Sequence, residues 1–133
     1  MTAAPIAIVE DDPGILGFMA EALADAGYAV VPWMTERGAQ DMLVAAHPAA
    51  VVLDIGLERP HAGMDVLRTM REQAETAAVP VLVCTADWDF LQEQRAELRG
   101  MGCETLAKPF LLAELLAAVE DLLGADGAVS TGS

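Results

Sequence analysis

Four stretches of the chain carry side chains that could do chemistry together. Glu10-Asp11-Asp12 follows the apolar run Ile6–Val9, and Asp54 follows Ala50–Leu53. Thr85, with Asp87 two residues on, follows Val81–Cys84, and Lys108-Pro109 follows Thr105–Ala107. Glu10, Asp11 and Asp54, if crowded, repel one another unless they are protonated or neutralised. A hard divalent cation neutralises them, and Mg²⁺ takes a few carboxylates together with waters and phosphate oxygens. Lys108 adds a point charge suited to a phosphoryl group, and Thr85 adds a hydroxyl donor. Such a set suits a site where the Asp54 carboxylate attacks phosphorus and becomes an acyl phosphate.

The elements that must position these groups are legible as an alternation. Five short apolar runs, Ile6–Val9, Ala29–Trp33, Ala50–Leu53, Val81–Cys84 and a weaker Thr105–Ala107, read as strands. They are continuously apolar, as strands buried on both faces of a parallel sheet are. Helical patterns lie between them at Pro13–Ala26, Glu36–Ala46, Met64–Ala74, Phe90–Gly100 and Leu111–Leu123. The first has Asp12 as N-cap, Pro13 at its first position and Gly27 to end it. The last has the clearest apolar stripe, Leu112, Leu115, Leu116, Val119, Leu122 and Leu123, and Gly124 closes it. Strand–helix alternation of this kind predicts an α/β fold, a parallel sheet covered by helices on both faces. In such a sheet functional residues collect beyond the carboxyl ends of the strands, which is where all four stretches fall.

Composition narrows the function. The chain has 133 residues, 54% of them apolar, enough for one domain with a real core. Seven Lys and Arg stand against 21 Asp and Glu, a formal charge of −14. That balance argues against nucleic acid and anionic membranes as partners, since both are bound through clustered cations. No segment approaches the roughly 18–20 apolar residues that span a bilayer, and the first residues lack a signal peptide's basic and apolar regions. With only Cys84 and Cys103 there is no disulfide framework, and the expected compartment is a reducing cytoplasm. One domain over 1–124 and a flexible tail over 125–133, with no second domain, are the expected organisation.

Over about residues 5–124 the chain resembles the receiver domain of two-component response regulators. The matching pieces are Ile8-Val9-Glu10-Asp11-Asp12-Pro13, Val51-Val52-Leu53-Asp54-Ile55, Val81-Leu82-Val83-Cys84-Thr85-Ala86 and Lys108-Pro109-Phe110 followed by Glu114-Leu115-Leu116. The resemblance implies a flavodoxin-like (βα)5 doubly wound parallel sheet of order 2-1-3-4-5. It implies Asp54 as phosphoacceptor, Asp11 as a direct Mg²⁺ ligand, Glu10 acting through a metal-bound water, and the Gly56 carbonyl completing the cation site. Thr85 and Lys108 would hold the phosphoryl oxygens, and the Lys108–Pro109 bond would be cis. The donor would be a histidine kinase or a histidine phosphotransfer protein. The chain would then not be an enzyme beyond its own phosphorylation and dephosphorylation. Phosphorylation would bias an equilibrium between two arrangements of the Thr85 loop and the fourth-helix face, read by a downstream protein around Trp88, Phe90 and Thr105. Two departures stand out. Thr105 occupies a position where the family usually has an aromatic residue, and the loop from Gly56 to Gly63 is about one residue longer than the common form.

Each feature alone has a plainer reading. Glu10-Asp11-Asp12 suits any acid-rich helix N-terminus, Asp54 any turn, and Thr85 any loop into a helix. Lys108-Pro109 suits the start of any helix. Their joint position after separate strands favours a site. His47, before Pro48, reads as a C-cap, and His61 as a solvated loop residue. Neither has Cys or His at zinc-ligand spacing. Cys84 reads as core and Cys103 as a loop thiol with no activating partner. Trp33, Trp88 and Phe90 fall near loop ends. Two other functions share parts of the pattern. One is a pseudo-receiver that binds but never turns over phosphate, which would show by loss of Asp54, Asp11 or Lys108. The other is a haloacid-dehalogenase-like phosphatase, which needs an Asp-x-Asp that Glu10-Asp11-Asp12-Pro13 lacks.

Overall fold

A computed structural model of the chain describes residues 4–131. Strand and helix alternate as β1 (Ile6–Val9), α1 (Pro13–Asp25), β2 (Val30–Trp33), α2 (Ala39–Ala46), β3 (Ala50–Asp54), α3 (Ala62–Glu72), β4 (Val81–Thr85), α4 (Trp88–Gly100), β5 (Cys103–Ala107) and α5 (Leu112–Thr131). The five strands pair in parallel in the order β2-β1-β3-β4-β5. This is the predicted doubly wound sheet.

The unbroken apolar runs divide between two cores because alternate side chains of a strand point to opposite faces. Val9, Val51, Leu53, Val81 and Val83 pack with Leu43 of α2, Leu67 and Met70 of α3, and Leu91 and Leu98 of α4. Ile6, Ile8, Val52, Leu82 and Cys84 pack on the other face with Met19 and Leu23 of α1 and Leu115 and Val119 of α5. Cys84 is a core residue, and burial pushes its thiol up to about 12.

Several boundaries differ from the sequence reading by a residue or more, and three of the differences have a plain physical account or change a residue's role. α2 begins at Ala39 rather than Glu36, because Gly38 turns left-handed (φ 79°) and Thr35 Oγ1 and Trp33 Nε1 both donate to the Arg37 carbonyl. Side-chain bonds from two preceding residues thus hold Glu36–Gly38 as a turn. Cys103 is not a loop thiol: it opens β5 opposite Val81 and is buried, with its thiol pKa raised by that burial. α5 does not close at Gly124 but runs on to Thr131, across most of the predicted tail, whose last two residues lie outside the described ones. His47 does cap α2, in a left-handed conformation.

Candidate functional site

The carboxyl ends of β1, β3, β4 and β5 form one rim. Parallel register sets Val9 beside Leu53, Asp54 beside Cys84 and Thr85 beside Ala107. Asp54 and Thr85, which end β3 and β4, and Glu10 and Lys108, which follow β1 and β5, are thereby carried to the same rim of the sheet.

β1 ends at Val9, and the Glu10 amide still pairs with the Trp33 carbonyl of β2 at 3.0 Å. Asp12 then caps α1, its Oδ1 accepting from the Gly14 and Ile15 amides at 2.8 and 3.0 Å. The Asp12 amide donates to Glu10 Oε2 at 3.2 Å, which ties the cap to the neighbouring acid. Asp12 is therefore a structural cap, while Glu10 and Asp11 face the rim. Glu10, Asp11 and Asp54 each offer a carboxylate oxygen within 4.8 Å of the others. Glu10 is 1% exposed and Asp54 5%.

Lys108 reaches this cluster from beyond β5. Its Nζ lies 2.7 Å from Glu10 Oε1 and 3.4 Å from Asp54 Oδ2. Its amide donates to the Thr85 carbonyl at 2.9 Å, and the Lys108–Pro109 bond is cis. Asp54 Oδ1 accepts from the Gly56 amide at 3.0 Å. Thr85 is buried at the end of β4, where its hydroxyl accepts from the Asp87 amide at 3.0 Å.

The electrostatics follow from this crowding. Burial pushes the Glu10 carboxyl up to about 7; the neighbouring Asp54 adds to the rise and Lys108 opposes it. Burial pulls the Lys108 ammonium down, but Glu10 and Asp54 outweigh it and hold its pKa above the ordinary value. Three carboxylates against one ammonium leave the cluster anionic. An all-oxygen, half-open donor set with excess negative charge fits a hard divalent cation.

Four of the residues singled out in the sequence, Glu10, Asp11, Asp54 and Lys108, thus come together, and Gly56 and Thr85 lie beside them through backbone bonds. Trp88, Phe90 and Thr105 stand apart from the cluster. Trp88 opens α4 and is 56% exposed, Phe90 is half-buried, and Thr105 pairs with Val83 in β5. An apolar groove of about 390 Å³, lined by Ile15, Phe18, Ala86, Pro109 and Phe110, opens beside Lys108.

Two residues escaped the sequence reading. A Cβ on Gly63 would lie 2.3 Å from the Asp54 carbonyl oxygen and 2.6 Å from Ile55 Cα, while its amide donates to the Ile55 carbonyl at 2.8 Å. Only glycine lets α3 start this close to the residue that carries Asp54. His61 is not simply solvated: its ring lies 4.5 Å from that of Phe90, and Nε2 is 3.4 Å from Asp87 Oδ2. No spacing signal marks either one, since their partners come from other elements.

The response regulator receiver domain family model matches residues 6–120. The chain belongs to the response regulator receiver domain family. This receiver is 36% identical over 118 residues to the response regulator MprA of Mycolicibacterium vanbaalenii, a match covering 89% of this chain and 49% of that protein. It is 39% identical to the transcriptional regulatory protein BasR of Escherichia coli, over 89% of this chain and 51% of that one. The chain thus spans about half the length of these curated relatives. Among solved structures, the receiver domain of the Pseudomonas aeruginosa sensor histidine kinase PA1611, with a magnesium ion coordinated in its active-site cleft, superposes with a TM-score of 0.78. It is 27% identical, and the match covers 92% of this receiver and 99% of that chain. The chemotaxis response regulator CheY4 of Vibrio cholerae shares the fold, with a TM-score of 0.79 at 24% identity over 91% and 99% of the two chains. Receivers of this family are phosphoacceptors that typically bind Mg²⁺, and the acid cluster found here is one that could hold a metal ion. Among the described residues no helix is long and apolar enough to cross a membrane.

Proposed function

We propose that this receiver accepts a phosphoryl group on Asp54 from a phosphohistidine of a histidine kinase or phosphotransfer protein. The observation that carries the reading is the meeting of three carboxylates with one ammonium, drawn from three separate strand ends. Asp11, Asp54 and the Gly56 carbonyl would hold Mg²⁺ directly and Glu10 would hold it through a water. The cation, when bound, supplies charge neutralisation for the acids and the phosphoryl oxygens.

The chain's own residues do the rest. The Gly56 amide holds one Asp54 oxygen and leaves the carboxylate oriented for attack. A carboxylate oxygen forms a bond to phosphorus as the phosphorus–nitrogen bond of the donor breaks, and the imidazole keeps the electron pair. Lys108 follows the negative charge onto the phosphoryl oxygens, where a fixed, largely buried ammonium is worth more than in water. The Thr85 hydroxyl donates to another of those oxygens. Phosphoryl acceptance and loss are the only chemistry assigned to the chain.

A protein donor is favoured by the apolar groove beside Lys108, where Phe18 stands 45% exposed. Output goes to a downstream protein through the face around Trp88, Phe90 and Thr105, not through nucleic acid or a membrane, in the cytoplasm.

The test is intact mass after incubation with a small phosphodonor, with and without Mg²⁺. The expected result is the mass of one phosphoryl group, dependent on Mg²⁺, labile to hydroxylamine and absent from Asp54→Ala. An adduct that survives Asp54→Ala overturns the assignment. Steady hydrolysis of a phosphate ester would instead favour a phosphatase.

A further inference from the structure

Thr85, the proposed hydroxyl donor, is held by a chain of contacts that ends in the β3–α3 loop. The Thr85 hydroxyl oxygen accepts from the Asp87 amide at 3.0 Å. Among the described residues its own proton has no recorded acceptor, so that proton is the one left to give. Asp87 is itself held twice. Its Oδ1 accepts from the Phe90 amide at 2.9 Å, capping α4, and its Oδ2 lies 3.4 Å from His61 Nε2. The His61 ring rests on Phe90 at 4.5 Å between centroids.

His61 itself occupies a left-handed position, with φ 61° and ψ 15°. Side chains other than Gly, Asn, Asp and His seldom sit there, and glycine is the residue that adopts it without steric penalty. Its carbonyl accepts from the Met64 amide at 3.0 Å, a bond that glycine would also allow. The backbone therefore asks for glycine, and what histidine adds is the imidazole against Asp87 and Phe90.

We infer that His61 is a positioning residue for phosphoryl acceptance: through Asp87 it holds the β4–α4 turn so that the Thr85 hydroxyl is fixed with its proton free for the incoming phosphoryl oxygen. Fixing a donor before reaction is worth rate because no reorganisation remains to be done. The device joins the loop beside the acceptor to the first turn of α4, and it does so with residues of this chain's own β3–α3 loop. The inference rests on the proposed phosphoacceptor function.

The variant that tests it is His61→Gly, which suits the left-handed backbone and removes only the imidazole. An exposed His–Asp contact of this kind restrains its partner weakly, so the expected effects are about two- to fivefold. Amide hydrogen exchange at Asp87 and Phe90 should accelerate by about that factor in the unphosphorylated protein. Phosphorylation of Asp54 by a small phosphodonor in Mg²⁺ should slow by about the same factor. In a Thr85→Val background, His61→Gly should have no further effect on the rate, because the group it positions is gone. Rates unchanged or raised in His61→Gly, or an equal slowing with and without the Thr85 hydroxyl, overturn the inference while leaving Asp54 as acceptor. A wild-type protein that takes up no phosphoryl group overturns the acceptor reading itself.

Discussion

Residues at the rim are constrained by what their neighbours leave room for, and Gly63 shows this most directly. Replacing it with alanine puts a Cβ against the Asp54 carbonyl and Ile55 Cα, both backbone atoms that cannot rotate away. Gly63→Ala should destabilise the protein by about 1–3 kcal/mol, read from its urea midpoint, and slow phosphoryl acceptance as Asp54 shifts. Asp87 carries a pH signature. The Phe90 amide that it caps, and then His61, hold its carboxylate below the ordinary value of 3.8. The unfolded chain therefore takes up this proton first on acidification. The stabilisation from Asp87 is complete above pH 3.8 and is lost as pH falls through the lower native pKa. Carboxyl-carbon NMR should place the Asp87 midpoint below 3.8, with the Phe90 amide shift following it. At this scale the sequence was partly transparent. Glu10, Asp11, Asp54, Thr85 and Lys108 stand out because side chains able to do chemistry follow four separate apolar strand runs, although each alone would suit an ordinary turn or cap. Gly63 and His61 do not, because their partners, Asp54 and Asp87, come from other elements.

Elements were the most legible scale. β1 runs over Ile6–Val9 as its apolar pattern predicts, and α1 starts at Pro13 behind its Asp12 cap. Hydrophobic periodicity and cap chemistry are local, so they survive without tertiary information. The misplaced start of α2 shows the limit, since Glu36-Arg37 is polar and helix-compatible but is diverted by a turn that Trp33 and Thr35 hold from outside the helix. Helix α1 also contains a testable weakness. Gly17 lies within it, and a Cβ there would meet nothing within 4 Å. Gly17→Ala should stabilise the protein by about 0.5–1 kcal/mol by restricting the unfolded chain, raising the thermal midpoint without changing phosphoryl acceptance. Gly14 would not serve as well, because its Cβ would come within 3.3 Å of the capping Asp12 oxygen.

The whole molecule carries a charge of −14 and concentrates buried acids at one rim. A cation that binds there stabilises the folded state by mass action, by about 2.7 kcal/mol at a hundredfold excess over its dissociation constant. Adding Mg²⁺ should therefore raise the thermal midpoint beyond the effect of NaCl at matched ionic strength. Chelation should reverse the rise, and Asp11→Ala should flatten it. The sequence by itself determined the class of fold, the alternation of strands and helices, and the residue types available for chemistry, because these depend on local pattern and on side-chain identity. Only the tertiary structure decided that Lys108 touches both Glu10 and Asp54, that the first turn of α3 needs a glycine, Gly63, pressed on the end of β3, and that His61 meets Asp87. Those facts depend on parallel register and on distances between segments far apart in the chain, which no local pattern encodes.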